Sequence, residues 1–144
     1  MRHTCIFLNI LLIATIVAFA SCGKQAESKP AIAVDSLEIM IDSLMTPEQK
    51  TLIYRVREDD LTEEERTMLK LLEDVIIEYM TVENNHFKFN LSKEDFVKKG
   101  LPIGFYYRIQ KDVRDNNKFI DSMKLDAEEM LNKTIKEHNE ALKL

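Results

Sequence analysis

Seven apolar residues, Met68, Leu69, Leu72, Val75, Ile76, Tyr79 and Met80, recur at offsets 0, 1, 4, 7, 8, 11 and 12 in the middle of the chain. This spacing keeps to one face of a 3.6-residue helix for about 18 residues, and it breaks the alternation that a half-buried strand needs. A helix so patterned must bury that face against other elements, so its neighbours have to supply apolar faces of their own. In DSLEIMIDSLM, Leu37, Met40, Ile41 and Leu44 fall at i, i+3, i+4 and i+7 behind Asp35 or Ser36 as cap. In MTPEQ, Thr46 and Gln49 form a capping box around Pro47, and Leu52, Ile53 and Val56 make the stripe that follows. Thr62 and Glu65 repeat the box before the central helix, with Glu63 and Glu64 at the positive end of its dipole.

After that helix, VENNH carries turn residues, and HFKFNL alternates Phe87, Phe89 and Leu91 with polar neighbours. No second strand is evident, so this stretch is expected to be an extended connector that inserts two aromatics into a helical core. Ser92 and Asp95 start a short helix, with Leu91 and Phe96 as a hydrophobic staple. Gly100 is expected to end it in the left-handed region, and Pro102 to close it. From 104 to 142 the spacing is helical again but is interrupted at RDNN, and Asp126 with Glu129 marks a second start. One bent helix or two remain open from the pattern. The expectation is an all-α fold, a small bundle of about five helices with one extended connector.

Ahead of this lies a different kind of sequence. The stretch Ile6 to Ala20 is nearly all apolar, follows a start carrying Arg2 and no acid, and would span roughly 22 Å as a helix. A bilayer core of about 30 Å asks for about 20 residues, so the pattern is that of a secretory signal peptide. Phe19-Ala20-Ser21-Cys22 resembles the lipobox of bacterial lipoproteins in its last three residues, with Phe19 where Leu is usual. The resemblance implies cleavage between Ser21 and Cys22 and lipidation of Cys22, hence attachment to a membrane through acyl chains, without cofactor. Several chains on one residue anchor stably where one does not. By analogy, Gly23 after the Cys implies the outer membrane, facing the periplasm. The chain thus divides into a signal peptide (1–21), an acylated Cys with a flexible tether (22–34) and a helical domain (35–144).

Composition narrows the function. Cys5 leaves with the signal peptide and the sulfur of Cys22 is used by lipid, so no disulfide framework is available. The net charge of −5, or −6 without Arg2, is the wrong sign for nucleic acid, which needs clustered cations. His86 and His138 are isolated, with no HExxH or CxxC, so no metal is expected, and His138 beside Glu137 and Glu140 suits a solvated helix end. Ser36, Ser43, Ser92 and Ser122 lack a nucleophile-elbow context. The paired acids Asp59–Asp60 and Glu63–Glu65 stand where helix starts favour them. No catalytic residues are expected, and the chain reads as a binder rather than an enzyme.

Two features bear on what it binds. Phe105, Tyr106 and Tyr107 are consecutive on a helix, so they cannot all face one core, and they are candidate contacts to an envelope protein partner. MTPEQ and LTEEE are similar to the LTxxQ boxes of Spy/CpxP-like periplasmic helical proteins, with Glu65 in place of Gln in the second. That resemblance implies chaperone-like client binding as the alternative.

Overall fold

The computed structural model describes residues 35–52 and 61–141. Ser21, Cys22 and the tether lie outside the described residues. Most of what is described is helical: α1 (Ser36–Leu44), α2 (Pro47–Leu52), α3 (Glu63–Tyr79), α4 (Lys93–Lys98), α5 (Ile103–Met123) and α6 (Ala127–Ala141). Between α3 and α4 stands an antiparallel hairpin, β1 (Met80–Glu83) and β2 (His86–Phe89). The fold is therefore mostly helical rather than all-α.

Helix starts are set locally. Asp35 accepts from the Leu37 N–H at 3.0 Å. Thr46 and Gln49 exchange bonds of 3.2 and 3.0 Å, and Thr62 and Glu65 bonds of 3.2 and 2.8 Å. Ser92 accepts from the Asp95 N–H at 3.1 Å, and Asp126 from the N–H groups of Glu128 and Glu129. Each satisfies donors that a helix start leaves open. Gly100 has φ +89 after α4, as its position predicts.

The hairpin corrects the extended connector. Met80 and Val82 pair with Phe89 and Phe87, so the end of the long apolar stripe belongs to a strand. Asn84 and Asn85 both hold positive φ, 53 and 61, which a two-residue turn between right-twisted strands requires. The region 104–142 resolves into two helices. Lys124 takes φ 53, and the Leu125 N–H reaches the Ile120 carbonyl at 3.1 Å, a Schellman-type stop.

The 21-residue α5 is the axis of the fold, with α1, α4 and β2 packed around it. Helix α1 lies antiparallel to α5, since Asp35 meets Arg114, Glu38 meets Lys111, and Leu44 and Met45 meet Gly104. Its buried residue is Ile41, followed by the buried Met45 at its C-cap, whereas Met40 and Leu44 are 43 % and 40 % exposed. The expected face is thus turned by part of a turn, because the chain approaches α5 on the Leu37–Ile41–Met45 line.

A Cβ on Gly104 would overlap the Met45 side chain and press on the Leu44 carbonyl oxygen at 3.2 Å. Gly104→Ala should therefore cost about 1–3 kcal/mol despite alanine's better helix propensity. Chemical denaturation with α1 amide exchange measures it, and an unchanged or raised midpoint would contradict this packing.

Two buried clusters make the core. The larger is built around Leu72, Val75, Phe89, Phe96, Leu101, Phe105 and Ile109. The smaller holds Phe87, Ile120 and Ala127 under Leu125, Met130 and Leu131.

Candidate functional site

A groove runs where the two clusters meet. Leu72, Ile76 and Ile77 of α3 form one wall, Leu131 and Thr134 of α6 the other, and Phe105, Ile109 and Val113 of α5 the floor. Its lining is almost wholly apolar, and it encloses about 60 Å³. For scale, an apolar cavity of roughly 150 Å³ admits benzene. The enclosed part is the size of the end of an aliphatic side chain.

Four polar groups border it. Arg108 donates from Nε to both carboxylate oxygens of Asp112, at 3.1 and 3.0 Å, one turn apart on α5. Burial pushes the Asp112 carboxyl above its ordinary value, against the pull of Arg108. Thr134 returns its hydroxyl to the Met130 carbonyl at 3.0 Å. Asn116 differs from these. It is 5 % exposed, lines the groove, and its side-chain amide makes no hydrogen bond among the described residues. No described side-chain polar atom is both sealed and unpaired.

The next residue shows the amide's capacity. Asn117 accepts from the Phe87 N–H at 2.7 Å and donates to the Phe87 carbonyl at 2.9 Å. It stands in for a third strand along the free edge of β2. Asn85 does similar work at the hairpin tip, donating to the Leu125 carbonyl and accepting from the Ala127 N–H, both at 2.9 Å. The run RDNN, an interruption in the apolar spacing, is therefore where α5 reads the hairpin on one side and borders the groove on the other.

His138 also departs from expectation. Its side chain is 7 % exposed, with Nδ1 3.0 Å from Glu73 and Nε2 3.4 Å from Asp74, so it ties α6 to α3 one turn beyond Thr134. Sequence placed it beside its own neighbours Glu137 and Glu140, but its partners lie on a helix more than sixty residues away. His86 opens β2 and meets Asp121 at 2.9 Å. Among the described residues, no group of three or more His, Cys, Asp or Glu could hold a metal ion.

The three consecutive aromatics separate. Phe105 is 1 % exposed and belongs to the core. Tyr106 packs edge-on to Phe96, with centroids 5.6 Å apart, and Tyr107 packs edge-on to Tyr106 at 5.8 Å. Both tyrosines are half-buried, and only they have surface to offer.

The charged side of α5 faces α1. Arg114 bridges Asp35 and Asp115, and Lys111 bridges Asp115 and Glu38. The hydrogen bond from Arg114 holds the Asp35 carboxyl down at about 2, from 3.8. A carboxylate depressed on folding stabilises above its unfolded pKa and loses that contribution as pH falls through its folded one. Acidification from pH 3.8 toward 2 should therefore release the start of α1. In an NMR titration, the first amides of α1 should shift near pH 2, and a transition already complete near 3.8 would contradict the ion-pair account.

No family model, curated protein or solved structure matches the chain. Among the described residues, no helix is long and apolar enough to cross a membrane.

Proposed function

We propose that this is a lipid-anchored protein of the bacterial cell envelope that acts by binding another envelope component. The observation that carries the address is the Arg2-to-Cys22 sequence, with its apolar stretch too short to span and its Ala20-Ser21-Cys22 ending. The outer membrane, periplasmic side, is the proposed location, by analogy at Gly23. Support for binding comes from the apolar groove between α3, α5 and α6.

Radiolabelled palmitate should enter the wild-type chain and not Cys22→Ala, whose leader should also stay uncleaved. Equal labelling of the two would defeat the anchor. A chaperone-like version of the reading is favoured by one feature, the apolar lining of the groove. It predicts suppressed aggregation of an unrelated denatured protein at near-stoichiometric amounts, where a dedicated scaffold predicts one co-purifying envelope partner. The LTxxQ-like boxes add nothing to that choice, since both are accounted for by the capping bonds they form.

A further inference from the structure

We infer that the outward face of α1, made by Ile39, Met40 and Leu44, rests on the bilayer that holds Cys22, at the boundary between headgroups and acyl chains of zwitterionic phospholipid. The inference rests on the lipid anchor proposed above and adds to it a contact surface and an orientation.

Helix α1 is apolar on two sides. Ile41 and the adjoining Met45 are buried against the body, yet Ile39, Met40 and Leu44 stay 53, 43 and 40 % exposed. A helix apolar all round is ordinarily a buried one, and α1 lies at the surface. At about 100° per residue, Ser36, Ile39, Met40, Ser43 and Leu44 share one arc of about 140°, and that arc holds no charged side chain. The acids of the helix and its cap lie outside it, and each is paired: Asp35 with Arg114, Glu38 with Lys111 at 3.7 Å and Asp42 with Lys50 at 2.8 Å. Single exposed apolar residues are normal, but neighbouring ones with no charge among them mark a contact surface.

The chain ahead of α1 selects the occupant. Twelve residues, Gly23 to Val34, separate Cys22 from Asp35, a fully stretched reach of about 45 Å. Of the described elements, α1 is thus the one joined most directly to the anchor. At that range the effective concentration of lipid is high, so a contact too weak to bind from solution is sufficient. An uncharged apolar face suits the boundary where amphipathic helices lie about 5–10 Å deep. Lacking cations, it has nothing with which to select anionic lipid. Lys111 and Arg114, which hold α1, stand roughly 160° around α5 from Ile109, Val113 and Asn116, which line the groove. With α1 on the bilayer, the groove faces away from it and is left to a partner.

The test uses the full acylated chain, ¹³C-labelled at its methionine methyls, in phosphatidylcholine nanodiscs. Two paramagnetic probes are read separately, 5-doxyl phosphatidylcholine in the bilayer and a soluble gadolinium chelate in the water. Met123 is the reference, being 54 % exposed and the last residue of α5, beyond the stretch that α1 covers. Met40 is assigned by its absence in Met40→Leu. Its methyl should be broadened at least about fivefold more than that of Met123 by the lipid probe, and less than Met123 by the soluble one. Ile39→Asn combined with Leu44→Asn should bring the two methyls level, whereas about 0.5 M salt should not. The wild-type comparison stands without the variants. The inference is overturned if Met40 follows Met123 with both probes, which leaves α1 in water. It is equally overturned if Met40 is shielded from both, which puts a protein on the face. Mass spectrometry of the same sample reports acylation of Cys22. An unacylated chain defeats the anchor and this inference with it, whereas an acylated chain with Met40 open to water defeats this inference alone.

Discussion

Phe96→Ala should lower the free energy of unfolding by about 3–5 kcal/mol, the range for truncating a fully buried aromatic. Phe96 is 0 % exposed and is the one buried residue of α4. Its ring sits edge-on to both Phe89 and Tyr106, at 6.3 and 5.6 Å. A six-residue helix has no independent stability, so α4 is held by what Phe96 buries. Removing that ring leaves a cavity bounded by β2 and α5, elements too well fixed to collapse into it. Urea denaturation followed by circular dichroism measures the loss, and Val97→Ala is the control. Val97 is 47 % exposed and its truncation should stay within about 0.5 kcal/mol. A loss below about 1 kcal/mol for Phe96→Ala would mean that the aromatic cluster does not bind α4 to the core.

Asn117→Ala should cost about 2–3 kcal/mol, from two partly buried main-chain groups left without partners. In the hairpin register, Val82 opposes Phe87 at a pair that exchanges no ladder bonds, so the Phe87 N–H and carbonyl point away from β1. Asn117 takes both. Amide exchange separates this from a simple loss of packing. The Phe87 amide should lose protection far more than its ladder neighbours, whose bonds lie inside the hairpin. Asn117→Asp, which retains the acceptor, should keep the Phe87 amide protected while still losing stability through the unpaired carbonyl. Equal protection of Phe87 in wild type and Asn117→Ala would show that the edge is satisfied by water.

Which parts of this were legible in sequence follows from the range of the interactions. Caps at Thr46, Thr62, Ser92 and Asp126 could be read because donor and acceptor lie within three residues. So could the α3 stripe, where one long period outweighs local exceptions. The hairpin was half legible. Phe87 and Phe89 alternate openly, but Met80 also fits the helical stripe, and only the pairing across Asn84–Asn85 assigns it to β1. The face of α1 was misread because Met40, Ile41, Leu44 and Met45 are all apolar, and composition cannot say which of two adjacent lines meets α5. His138 with Glu73 and Asn117 with Phe87 were beyond reach, since each joins segments thirty or more residues apart. Asn116 gave no signal at all beyond a polar residue at a position where the stripe lapses.

The ladder between α1 and α5 has a mechanical meaning if Cys22 is held in a bilayer. Tension along the chain would reach the described residues at Asp35, and Asp35 pairs with Arg114, near the centre of the axial helix. The load is thus delivered to the longest described helix, away from its ends. Successive rungs at Lys111 and Gly104 share it in turn as the strain grows. A pull from Cys22 would therefore strip α1 away rung by rung before it disturbed the groove walls on α3 and α6.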